Sequence, residues 1–146
     1  MDTVTKEKRS EMMRKVRGKN TAPEKKVRSF LHSLGYRFRL HRNDLPGTPD
    51  IVLPKFKIAI FVHGCFWHGH ANGACKRGKM PKSHTMFWVN KIKANQERDS
   101  RVLNKLAETG WNVLVVWECE IKSGVYREKL EQELRGLKKQ KMQDNL

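Results

Sequence analysis

The sequence predicts an α/β domain in which helices cover the faces of a mixed sheet. Three observations predict it. Short apolar runs at Ile51–Leu53 and at residues 57–63 are close enough to pair as neighbours, and a third run, Asn112–Trp117, lies beyond a long amphipathic segment. The run Ile58-Ala59-Ile60-Phe61-Val62 is apolar at every position, as expected of a central strand covered on both sides. Helical periodicity falls between and around these runs, giving the order helix, three strands, helix, strand, helix, with no internal repeat.

Taken in order, residues 1–20 are polar and basic, with Arg14, Lys15 and Arg17 among the cations. They read as an arm that is either a frayed terminus or a segment closing on phosphates. Thr21-Ala22-Pro23-Glu24 starts a helix: Thr21 caps, Pro23 suits the first turn, and Glu24 stands where a capping-box partner belongs. Val27, Phe30, Leu31 and Leu34 form its buried stripe, and Gly35 stops it. Tyr36, Phe38 and Leu40 alternate with Arg37, Arg39 and His41, predicting a strand with one basic face. Leu45-Pro46-Gly47-Thr48-Pro49 is a turn, and Asp50 opens the next strand, so Asp50 and His63 can lie on adjacent strands.

A basic loop at residues 78–85 leads to a helix over residues 87–106 or 87–108, stopped by Gly110. Trp88, Ile92, Asn95, Asp99, Val102 and Leu106 share one of its faces. Burying Asn95 and Asp99 without partners would cost about 1–3 kcal/mol each, so partners are expected. The strand Asn112–Trp117 ends at Glu118-Cys119, a final amphipathic helix covers residues 125–137, and residues 138–146 form a polar tail. The chain therefore divides into an arm (1–20), one domain (21–137) and a tail (138–146).

The chain has 146 residues, room for one core, and 31 Lys and Arg against 15 Asp and Glu, a formal net charge of +16. Such an excess on a small domain favours a polyanionic partner, nucleic acid before membrane. No apolar run approaches the roughly 20 residues of a membrane-spanning helix. With no secretory signal pattern either, a soluble cytoplasmic protein is expected. Its three cysteines point to reduced thiols or a metal site rather than a disulfide framework. No leftover amphipathic element asks for a subunit interface, so a monomer is expected.

The stretch Val62-His63-Gly64-Cys65-Phe66-Trp67-His68-Gly69-His70 resembles the central motif of the very-short-patch repair (Vsr) DNA mismatch endonucleases. The likeness runs from about Lys8 to Leu130. It takes in Asn20-Thr21-Ala22-Pro23-Glu24, Leu45-Pro46-Gly47-Thr48-Pro49-Asp50, Phe87-Trp88 with Lys91-Ile92, Asn95 to Asp99, and Val115-Val116-Trp117-Glu118-Cys119. It implies a three-layer α/β/α, restriction-endonuclease-like fold of the PD-(D/E)XK kind. The implied activity is nicking of one strand of double-stranded DNA beside a T:G mismatch left by deamination of 5-methylcytosine. It also implies a nucleoid-associated bacterial setting in which mismatch-repair accessory proteins are candidate partners.

In that fold the second strand normally supplies an acid, a spacer and a lysine, whereas here the triplet is Phe61-Val62-His63. Asp50 would then hold Mg²⁺ with little help from other side chains, alongside the Val62 carbonyl, which suits an ion that keeps several waters. His63 and His68 are candidates for proton transfer, since imidazole titrates near neutrality; the resemblance favours His68 as general base with His63 at the phosphate. Asp99 or Asn95 could orient one of them. The resemblance also places an acidic residue near the active site at Glu24, compatible with its capping role.

Cys65, His70, Cys75 and Cys119 would make a closed tetrahedral Cys₃His site for structural Zn²⁺, with His84 an alternative to Cys75. Phe66, Trp67 and Trp88 are implied to intercalate beside the mismatch, as apolar wedges do in DNA-kinking proteins. Arg14, Lys15, Arg17, Lys76, Arg77 and Lys79 would contact phosphates. Two other functions stay open: a nickase or restriction-associated nuclease of the same fold without mismatch specificity, and a non-catalytic zinc-stabilised DNA-binding module.

Overall fold

The computed structural model describes residues 21–65, 68, 70 and 84–144. The N-terminal arm, Phe66, Trp67, Cys75 and the basic residues Arg14, Lys15, Arg17, Lys76, Arg77 and Lys79 lie outside them. The first described element is helix α1, Ala22–Ser33, opened by Thr21, whose hydroxyl accepts the Glu24 N–H at 3.4 Å. It closes as a Schellman motif: Gly35 takes φ +85°, its N–H donates to His32 O at 3.0 Å, and the Tyr36 N–H donates to Leu31 O at 3.1 Å.

The sheet has four strands in the order β1 (Arg39–Leu40), β2 (Ile51–Leu53), β3 (Ile58–His63) and β4 (Asn112–Trp117). β1 runs antiparallel to β2 and β2 to β3, with Ile51 opposite Ile60. β3 and β4 are parallel, from Ile58 opposite Asn112 to His63 opposite Trp117. A parallel pair needs a crossover, and helix α2 (Thr85–Glu108) supplies it. A three-residue 3₁₀ turn, Pro54–Phe56, joins β2 to β3.

Alternation along β3 divides the core. Ile58 and Ile60 face Val27 and Leu31 of α1, with Ile121, Tyr126, Leu130 and Leu134 from two later helices, α3 (Glu118–Ser123) and α4 (Tyr126–Asp144). Ala59 and Phe61 face the other way, against Leu106 and Val102 of α2. Helices therefore cover both faces of a mixed sheet.

Three local expectations change. The strand expected over residues 36–41 shrinks to Arg39–Leu40, because this edge strand has only the three residues of β2 to pair with; Leu40 is 38% exposed, while Tyr36 and Phe38 pack against the core. Between β4 and the final helix lies an unexpected short helix, α3, which begins at Glu118 where the strand ends; the Trp117 N–H donates to Glu120 Oε1 at 3.0 Å. The final helix, expected over residues 125–137, runs from Tyr126 to Asp144. No described helix is long and apolar enough to cross a membrane.

Candidate active site

Three side-chain clusters gather where β2 begins and β3 and β4 end. The first is Glu24, His41 and Asp50, whose candidate ligand atoms all lie within 4.8 Å of one another. Asp50 sits immediately before β2, and its Oδ2 accepts the backbone N–H of Val62 at 2.8 Å. Burial pushes the Asp50 carboxyl up to about 7, and the charge of Glu24 adds to the rise; the Val62 N–H and Arg28 oppose it. Two carboxyl groups brought together in a partly dehydrated place are poised either to share a proton or to hold a cation.

Glu24 thus lies beside Asp50, the second of the two compatible places expected of it. Its residue is only 3% exposed, and its carboxylate is bonded to Arg28 one turn along α1, with His41 Nε2 at 3.1 Å from Oε2. Helix α1 thus brings a second carboxylate, Glu24, to the Asp50 cluster. Neither His41 nor Arg28 is marked by the sequence motifs. The one available signal is that Arg28 stands four residues after Glu24, a spacing at which side chains meet on a helix.

The second cluster is His63, His68 and Asp99. His63, the last residue of β3, is buried and stacks on His68 with ring centres 3.8 Å apart and planes 3° from parallel. Burial, and then the neighbouring His68 ring, push the His63 imidazole down to about 4, against the pull of Asp99. At neutral pH His63 is therefore uncharged. His68 Nδ1 donates to Asp99 Oδ2 at 2.7 Å, which leaves Nε2 with its lone pair. The buried face of α2 carries Asp99 to this position, so one of the two polar residues in its apolar stripe meets an imidazole. Asn95 lies on the same half-buried face, one turn earlier.

The third cluster is Cys65, His70 and Cys119. His70 Nδ1 and Cys119 Sγ are 3.4 Å apart; two ligands at tetrahedral angles around zinc, with Zn–N and Zn–S bonds of ordinary length, lie about 3.5 Å apart. The Cys119 N–H also donates to Cys65 Sγ at 3.3 Å, the kind of outer contact that steadies a thiolate. These three residues fit a zinc ion. His84, exposed at the start of α2, is not part of the group.

Trp117, not singled out from sequence, joins the second and third clusters. His70 stacks on it at 4.0 Å, and its edge meets His63 at 5.3 Å. Trp88 is half-buried in the first turns of α2, edge-on to Phe87, which is 58% exposed.

A family model described as DNA mismatch endonuclease Vsr matches residues 1–76. The chain belongs to the Vsr family. Among its relatives, the type II nicking enzyme V.XorIIP of Xanthomonas oryzae pv. oryzae is 58% identical over 120 residues, covering 82% of this chain and 86% of the relative. The type II nicking enzyme V.NmeAIP of Neisseria meningitidis serogroup A is 46% identical over 138 residues, covering 94% and 96%. The DNA mismatch endonuclease Vsr of Escherichia coli K12 is 44% identical over 132 residues, covering 90% and 81%. The matches over 138 and 132 residues are long enough to span all three clusters, from Glu24 to Cys119.

Proposed function

We propose that this Vsr-family chain is a Mg²⁺-dependent DNA endonuclease that nicks one strand beside a T:G mismatch. The observation that carries the reading is the His68–Asp99 pair at 2.7 Å, stacked on an uncharged His63 at the end of the strand whose Val62 N–H holds Asp50. Asp99 fixes the His68 tautomer, leaves Nε2 free to take a proton from water, and stabilises the imidazolium that results. His63, kept neutral by burial, offers the phosphate a hydrogen bond without a fixed charge.

Asp50 and Glu24 supply carboxylate oxygens for Mg²⁺, which would lend Lewis acidity at the scissile phosphate. On this reading the chain would be a three-layer PD-(D/E)XK-like nuclease whose second acid comes from a helix. Cys65, His70 and Cys119, with Cys75 or His84 as fourth ligand, would hold a structural zinc tying the loop after β3 to α3. Phe66, Trp67 and Trp88 would wedge the stack, and Arg14, Lys15, Arg17, Lys76, Arg77 and Lys79 would contact phosphates.

A second reading is a nickase of the same fold without mismatch preference; two relatives carry the name type II nicking enzyme, which speaks of nicking and not of a mismatch. One experiment separates the two. Single-turnover cleavage is measured on duplexes that differ only in a T:G or C:G pair, with and without Mg²⁺, for the native chain and Asp50→Ala. A Mg²⁺-dependent nick beside the T, absent from the matched duplex and lost in the variant, is the expected result. Equal cleavage of both duplexes selects the second reading, and binding without cleavage in varied flanking sequences rejects both.

A further inference from the structure

The cluster at the start of β2 contains one group that the proposed chemistry does not use. His41 follows β1 with a left-handed backbone, φ +50°, a conformation that costs a non-glycine residue about 1–2 kcal/mol. Its N–H donates to the Asp50 carbonyl at 3.2 Å, so the strained residue is anchored to the backbone of the residue it serves. Strain held in place this way clusters at functional sites. The result is a ring turned inward, its side chain 13% exposed, with Nε2 at 3.1 Å from Glu24 Oε2.

Arg28 Nη2 lies 3.0 Å from His41 Nε2 and is also bonded to Glu24 Oε2. A guanidinium only donates, so with the proton on Nδ1 the lone pair of Nε2 accepts from it. In that tautomer imidazole nitrogen and carboxylate oxygen converge, as acceptors, on one positive charge. Their 3.1 Å separation matches that of adjacent ligands at right angles around an octahedral ion with bonds of about 2.1 Å, which would be about 3.0 Å.

We infer that His41 is a third protein ligand, with Glu24 and Asp50, for the divalent ion of this site, and that the Arg28 guanidinium holds the ion's place until the ion displaces it. The inference rests on the reading of Asp50 as a metal ligand. It carries a consequence for the ion itself. Carboxylates and water suit Mg²⁺, whereas imidazole favours later divalent ions, so the site selects Mn²⁺ over Mg²⁺ more strongly than an all-oxygen site would.

The test uses the full chain without DNA, with zinc content checked to be unchanged. Mn²⁺ binding is followed by loss of the free-ion electron paramagnetic resonance signal, Mg²⁺ is added as competitor, and bound Mn²⁺ is examined by pulsed resonance for coupling to a histidine nitrogen. The native chain shows that coupling. His41→Gln loses it and binds Mn²⁺ about tenfold more weakly, with a smaller change for Mg²⁺. Arg28→Gln, which removes the competing cation, binds both ions more tightly. Because the nitrogen coupling is read on the native chain, the test does not depend on either variant folding well.

Coupling that persists in His41→Gln, or its absence from a native chain whose Mn²⁺ binding is lost in Asp50→Ala, overturns the role of His41 while leaving Asp50 as a metal ligand. Mn²⁺ binding that survives Asp50→Ala places the ion elsewhere, and the reading of Asp50 fails with the inference. Weaker binding in Arg28→Gln overturns the displacement.

Discussion

Asp50 and His63 titrate in the wrong order for a carboxyl and an imidazole, and the effect is measurable as stability. The Asp50 carboxyl rises from an ordinary 3.8 to about 7 because it is buried beside Glu24. A carboxyl with a raised pKa binds more protons in the native than in the unfolded state. Its contribution is therefore complete below the unfolded value and is lost as pH climbs through the native one. Between pH 5 and pH 7.5 the printed shift corresponds to a loss of about 2–3 kcal/mol. Asp50→Asn removes the titration but keeps a group of similar size.

Urea unfolding of both proteins without added Mg²⁺, at several pH values across that range, should show the variant gaining about 2–3 kcal/mol on the native chain as pH rises. Taking the difference between the two proteins cancels the other titrating groups. Saturating Mg²⁺ should offset the native chain's loss near neutrality, because an ion that binds the ionised carboxylate stabilises the fold by mass action. A stability difference that is independent of pH, or that moves the other way, would refute the claim that burial beside Glu24 holds a proton on Asp50.

Asp99→Asn should lower single-turnover cleavage by about 10²–10⁴-fold while duplex binding stays the same, because the amide can present its NH₂ to Nδ1 and stabilise the wrong tautomer; a loss under tenfold would remove His68 from the base role. Cys119→Ser should reduce bound zinc, measured by elemental analysis, and lower the melting temperature; full zinc retention would exclude Cys119 as a ligand. Gly47→Ala should destabilise the chain by about 1–3 kcal/mol in urea unfolding, since Gly47 has φ +74° and an added Cβ would lie 2.5 Å from Val102 Cγ1. An unchanged midpoint would mean that the turn before Asp50 shifts without cost.

Much of the frame was legible because it is written in local patterns. The strands Ile51–Leu53 and Asn112–Trp117 are continuous apolar runs, and the cap at Thr21 and the stops at Gly35 and Gly110 are residue-specific signals. Asp99 announced itself as a polar residue in an apolar helical stripe. The sequence was silent where the outcome depends on contacts far along the chain. His41 reads as one more basic residue on an exposed strand face; its inward turn needs the left-handed backbone and the hydrogen bond to Asp50. Glu24 stands where a capping partner would, and its contacts with Arg28 and His41 could not be read from the cap pattern. Helix α3 begins inside a motif that reads as the end of a strand.

The division of β3 into two faces explains how one strand end can serve two opposite electrostatic tasks. Residues with the parity of Ile60 look toward α1, the source of Glu24 and Arg28, and those with the parity of Phe61 look toward α2, the source of Asp99. His63 has the parity of Phe61, so its ring joins the α2 side, where burial and a second imidazole strip its proton. The Val62 N–H, lying in the sheet, reaches Asp50 instead, whose carboxyl is raised by burial and then by the second carboxylate, against the pull of that N–H. Pushing two neighbouring groups in opposite directions is how a fold separates acid from base work at one pH. At this strand end the carboxyl is the weaker acid of the two, so a divalent ion arriving at Asp50 would displace a proton, and His63 would stay neutral throughout.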